Sequence, residues 1–268
     1  MAVLFVLLAL LYGGLGVFAW WFGRQNARRP YPLKGELLLL AALLPAHAAA
    51  VWQPLLLSRF PNGIGYALCL VTWLMLLLYW CGSFFYSLKG LQLLLYPFAA
   101  LSMLAAAQWP APGADYAVDN MPFALHVGAS VLSYSLFGIA TLLALLVLLL
   151  NRCLRNHRIS PLISFLPPLL SLEKLMFQSM LAGFVLLSVS VGGALLFPLE
   201  IFGKPLALTH KSVFGVLSWL VYAGILLLHR TRRWRGRTAA LWCVAGFVCL
   251  MLAYVGSKFV LQVLLHRV

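Results

Sequence analysis

The sequence predicts an all-α, polytopic transmembrane helix bundle of about eight spans with both termini on the outer (periplasmic) side. Three observations predict it. Of 268 residues, 64% are hydrophobic and 9% are charged, whereas a soluble domain of this length carries roughly 25% charged residues. The apolar residues run in continuous Leu/Ala/Val/Phe blocks rather than ten-residue alternations, so helices and not a closed barrel satisfy the backbone in lipid. The loops between blocks are strongly and weakly basic by turns.

About 20 apolar residues cross the ~30 Å hydrocarbon core as a helix. The first block, 1–22, has its charges after the apolar run, so it reads as a retained span and not a cleaved leader. The second, 36–56, carries His47 just after Pro45, and the third and fourth, 65–86 and 90–108, flank Lys89. The fifth, 124–150, ends in Arg152, Arg155 and Arg158. A stretch beginning at Leu169, after Pro161, Pro167 and Pro168, reads as a short amphipathic turn lying on the membrane before the sixth span, 176–198. Gly183, Ser188, Gly192 and Gly193 in that span permit close helix approach. The seventh, 211–229, runs into Arg230, and the eighth covers 239–265. With no internal repeat or linker, residues 1–268 read as a single integral membrane domain.

The net charge of +14 is topological. Fourteen of the 19 Lys and Arg residues fall in the loops after odd-numbered spans, and only Arg59, Lys204, Lys211, Lys258 and Arg267 lie on the other side. The positive-inside rule makes the former loops cytoplasmic, where they also meet anionic lipid. Nucleic acid is not the expected partner. The five cysteines form no Cys-x-x-Cys pair, and four lie inside spans, which argues against a disulfide framework and for buried apolar thiols.

The question becomes what the few polar groups inside the bundle do. His126, Ser130, Ser133 and Tyr134 share one face of span five. The hydroxyls read first as bonds between packed helices, while His126, at the outer end, can reach a cavity. Tyr254, Lys258, Gln262 and His266 follow one another at i+4 in span eight and form either an interfacial snorkelling edge or a polar wall facing spans five and seven. His210 opens span seven on the same side, so His126, His210 and His266 stand at about one depth. His47 lies deeper, His229 closes span seven on the opposite side, and His157 sits in a basic loop. Imidazoles at matched depth on separate helices suit axial ligation of a haem iron and also suit a metal ion. Glu36, Asp115, Asp119, Glu173 and Glu200 are the only acids, too few for a carboxylate relay or hydrolytic acid/base work. No nucleophile elbow, phosphate loop or His-Glu-x-x-His motif is found, so an enzyme is not expected.

Several stretches resemble the CcsA-type cytochrome c assembly family, and within it the YpjD-like branch. They are His126-Val-Gly-Ala-Ser-Val-Leu-Ser-Tyr134, then Ser171-Leu-Glu-Lys-Leu-Met-Phe running into Ala182-Gly-Phe, then Lys211 with Trp219 and a span closing at His229-Arg230, and finally Trp234-Arg-Gly-Arg237 and Ala253-Tyr-Val-Gly-Ser. The similarity is clearest over 120–268. It implies a multi-pass protein of the bacterial cytoplasmic (inner) membrane that handles non-covalent, b-type haem near the outer face, accessory to cytochrome c assembly or haem metabolism. His126 matches the family's first outer histidine, His266 falls where the second belongs, and His229 resembles the histidine ending the penultimate span. In this reading His126 and His266 are the axial ligands and His210 the alternative second ligand. Tyr134 and Lys258 orient or pair with a propionate, and His229 and His47 are secondary candidates. The outer loop from Leu199 to His210 holds no tryptophan, so the family's Trp-rich haem-presenting segment is absent. Partners would be membrane lipids and haem-biosynthesis or cytochrome-assembly proteins. Two rivals stand beside this reading. One is a HemX-like interaction protein acting through cytoplasmic residues 151–175 and 230–238 without binding haem. The other is a small-molecule transporter, for which Pro45 and Pro97 are the only mid-span breaks.

Overall fold

The computed structural model describes residues 2–24, 31–56, 60–61, 63–109, 113–114, 121–156, 165–202, 210–232 and 234–252. Among the described residues the regular structure is helical apart from one two-residue pairing. The helices are α1 (Ala2–Arg24), α2 (Leu33–Leu56), α3 (Ile64–Gly82), α4 (Gln92–Gln108), α5 (Met121–Arg155), α6 (Leu169–Leu196), α7 (Pro198–Phe202), α8 (His210–Arg232) and α9 (Gly236–Met251). The strands β1 (Phe60–Pro61) and β2 (Gly113–Ala114) pair antiparallel, with Phe60 opposite Ala114.

Six of these helices are long and apolar enough to cross a membrane: α1, α2, α3, α5, α6 and α8. The apolar helices α4 and α9 are shorter, at 17 and 16 described residues. The long helices leave large apolar side chains exposed as well as buried. In α1 the buried face is Leu8, Tyr12, Leu15 and Ala19, at helical spacing, while Val3, Leu10 and Val17 are exposed. A helix hydrophobic all round, with large aliphatic residues left outside, belongs in lipid rather than at a water surface. At the end of α1, Arg24 lies 4.9 Å from the ring centre of Trp20, an aromatic–cation pairing suited to the headgroup layer.

The chain divides into two compact units. The first comprises residues 1–114 and 149–171. In it α1 packs on α4, α4 on α3 and α3 on α2. The turn between α3 and α4 needs Gly90, whose φ of +88° is open to glycine at little cost. A Cβ there would also strike Leu166. Glu36, near the start of α2, is buried and accepts hydrogen bonds from the hydroxyls of Tyr79, at 2.9 Å, and Tyr96. A carboxyl group withdrawn from water is tolerated when donors replace its hydration.

The second unit comprises residues 115–148 and 172–268. Its α5 buries Ser133, Phe137, Ala140, Ala144 and Val147 along one stripe. Phe137 stacks on Tyr222 of α8, with ring centres 3.8 Å apart, and α8 packs on α9. Gly183 of α6 lies against Phe137, whose ring would come within 3.2 Å of any Cβ at that position. Small residues let membrane helices approach closely enough for dispersion to hold them.

One expectation is corrected. The stretch from Leu169 is not a separate amphipathic turn ahead of a span at 176; it is the first two turns of a single 28-residue helix. No proline interrupts 169–196, and Leu172, Glu173 and Met176 are buried rather than spread along a surface. A continuous helix keeps its interior backbone donors paired, which a break at membrane depth would not.

Candidate functional site

Helix α5 carries the polar stripe, and α6 answers it. His126 Nδ1 lies 3.2 Å from the Ser190 carbonyl oxygen and 3.3 Å from the Ser190 hydroxyl. The Ser190 hydroxyl is also 2.6 Å from that of Ser130, and Ser130 donates back to the His126 carbonyl at 2.7 Å. One turn further, Ser133 donates to the Gly183 carbonyl at 2.9 Å. Tyr134 donates to the Leu250 carbonyl of α9 at 3.2 Å. The three hydroxyls of the stripe thus bond between helices, as the sequence suggested for them.

The chemistry at His126 follows from its partners. A backbone carbonyl only accepts, so Nδ1 carries the proton of the neutral ring and Nε2 keeps the lone pair. The ring is half-buried. A backbone carbonyl holding one nitrogen while the other is the Lewis base is the arrangement of metal-ligating histidines. Ser190 was not singled out in the sequence. It lies about two turns from Gly183 on α6, and only the packing of α6 on α5 selects it over the neighbouring Ser188, which instead accepts from Trp219 Nε1 at 2.8 Å.

The other candidates divide. His210 opens α8 as expected, but its side chain, like those of Lys258, His266, Tyr254 and Gln262, lies outside the described residues. His157 lies outside them too. His229 stacks on Phe177 at 3.6 Å, and its Nδ1 is 2.8 Å from the Trp234 carbonyl. The Trp234 carbonyl can only accept, so it takes the Nδ1–H of that ring. Trp234 is thereby tied to the end of α8, within the basic segment that precedes α9.

His47, in the first unit, differs from all of these. It is fully buried. Tyr12 of α1 sits at its Nδ1, 3.1 Å away, and Cys69 of α3 at its Nε2, 3.3 Å away. Among the described residues no group of three or more His, Cys, Asp and Glu side chains converges as a metal site.

A polytopic helical membrane protein whose intramembrane imidazoles are held by neighbouring helices is the class that fold and site define. Within that class the chain belongs to the cytochrome C assembly protein family, whose sequence model matches residues 36–265. It is 31% identical over 171 residues to the inner membrane protein YpjD of Escherichia coli, covering 64% of each chain. It is 33% identical over 160 residues to a 28.8 kDa protein of the nifR3-like 5′ region of Azospirillum brasilense, covering 60% of this chain and 59% of that one. It is 28% identical over 154 residues to the cytochrome c biogenesis protein CcsA of Prochlorococcus marinus, covering 50% of each. The matched stretch thus spans between half and two thirds of these relatives.

Proposed function

We propose that this protein binds and handles haem near the outer face of a bacterial cytoplasmic membrane, accessory to cytochrome c assembly or haem metabolism. In this reading all eight apolar segments cross one membrane as a single domain with both termini outside. His126 and His266 would hold the haem iron, with His210 as the alternative second ligand. Tyr134 turns its hydroxyl from the Leu250 carbonyl to a propionate, and Lys258 supplies the opposite charge.

The observation that carries the proposal is the Ser190 carbonyl at His126 Nδ1, 3.2 Å away. It fits an imidazole that presents its Nε2 lone pair to iron. The haem supplies iron for redox change or is itself the cargo; the residues named hold and orient it. The family membership and the likeness to a CcsA protein support haem as the ligand over other metal chelates. Protein purified in mild detergent after expression with ample haem should show a Soret band with sharp reduced α and β bands. His126→Ala should abolish it. A colourless wild-type protein that also takes up no added haem would overturn the proposal, and would favour a regulatory partner acting through residues 151–175 and 230–238.

A further inference from the structure

We propose that His47, Cys69 and Met103 form a buried site for a soft monovalent d10 metal ion, copper(I), separate from the haem site proposed above. Three donors from three helices meet at this point of the first unit. His47 Nε2 on α2 lies 3.3 Å from the Cys69 sulfur on α3, and that sulfur lies 4.0 Å from the Met103 sulfur on α4. All three residues are at most 1% exposed. Tyr12 on α1 supplies a fourth wall, with its hydroxyl at His47 Nδ1.

The two edges that meet at the Cys69 sulfur are short enough for their three donors to share one ion. With metal–nitrogen bonds of about 2.0 Å and metal–sulfur bonds of about 2.3 Å, edges of this size subtend roughly 100° and 120° at a shared ion. The donor set selects the metal. Thiolate and thioether sulfur beside imidazole is the soft combination that holds copper(I). Charge selects it again, because a monovalent ion and one thiolate sum to zero, whereas a divalent ion would leave an uncompensated positive charge in the apolar interior. Tyr12 completes the arrangement from outside. When Nδ1–H donates to the Tyr12 oxygen, the Nε2 lone pair faces Cys69, the second-shell pattern of a ligating histidine.

The bonding change is simple. Copper(I) forms bonds to Nε2, to the Cys69 sulfur and to the Met103 sulfur, and the thiol proton leaves to solvent; no electron is transferred. Without metal, one tautomer satisfies the same groups: Tyr12 donates to Nδ1, Nε2–H to the Cys69 sulfur and the thiol to Met103.

The test is to express the full chain in copper-supplemented medium, purify it in detergent, challenge it with a copper(I) chelator and measure retained copper. Wild type should keep stoichiometric copper whose X-ray absorption shows one nitrogen and two sulfur neighbours. Cys69→Ala and Met103→Leu, both of which leave an apolar residue in place, should lose it while still eluting as folded protein. Tyr12→Phe should keep the metal but weaken it about tenfold, as loss of a second-shell partner does. Changing the more accessible Cys81 and Cys153 to Ser should change nothing. No retained copper in wild type, or retention that follows Cys81 and Cys153 instead of Cys69, would overturn the proposal. His126→Ala should leave copper untouched, so failure here and failure of the haem reading are separate results.

Discussion

His47 in the first unit and His126 in the second are both intramembrane histidines, and they are held in opposite ways. His47 is fully buried, with a side chain from another helix at each ring nitrogen. His126 is half-buried, and its Nδ1 is held by a backbone carbonyl that can only accept. The difference teaches that depth alone does not tell a histidine's role. A carbonyl partner fixes one tautomer and dedicates Nε2 as a Lewis base, whereas hydroxyl and thiol partners let either tautomer stand. The two proposals accordingly assign a small soft ion to the first unit and a large ligand to the second.

The sharpest way to break this comparison is to remove each ring in turn. His126→Ala should eliminate the Soret band outright, while His47→Ala should leave it intact in purified protein. Loss of the band in both would return His47 to the haem-holding set. The next effect is on stability. His47→Leu leaves the Tyr12 hydroxyl buried without its partner, which costs about 1–3 kcal/mol, so thermal unfolding in detergent should come at clearly lower temperature than for wild type. A midpoint unchanged by His47→Leu would mean that Tyr12 finds another acceptor.

A smaller effect tests the Ser190 groups that hold His126. Ser190→Ala removes the hydroxyl but keeps the carbonyl at Nδ1, so haem titration should show affinity weakened by about tenfold, the low end for second-shell losses. The smallest concerns helix packing: Ser133→Ala deletes the bond to the Gly183 carbonyl, and interhelical hydrogen bonds of this kind average about 0.6 kcal/mol. Unfolding of that variant should shift slightly, with an unchanged haem spectrum.

Much of the second unit was legible in the sequence. The stripe of His126, Ser130, Ser133 and Tyr134 is a matter of 3.6-residue spacing, and its hydroxyls do bond between helices. Ser190 was not legible, because nothing in α6 marks it apart from Ser188, whose neighbour is Trp219. The merging of residues 169–175 into α6 was missed because an amphipathic pattern beside two prolines resembles an interfacial turn. Helix continuity is decided by backbone pairing and burial. In the first unit Cys69 read as a bland buried thiol and Tyr12 carried no signal, since 35 residues separate Tyr12 from His47 and 34 separate Cys69 from Met103.

The sequence by itself determined that this chain is a helical membrane protein of the cytochrome C assembly family. Apolar block length, loop charge and short motifs are local properties, and lipid leaves the backbone few alternatives to a helix. Only the tertiary structure decided which polar side chains meet. Partners on different helices are brought together by packing, which depends on the rotation and crossing of each helix and on small residues such as Gly183. None of that is written in the spacing of one segment.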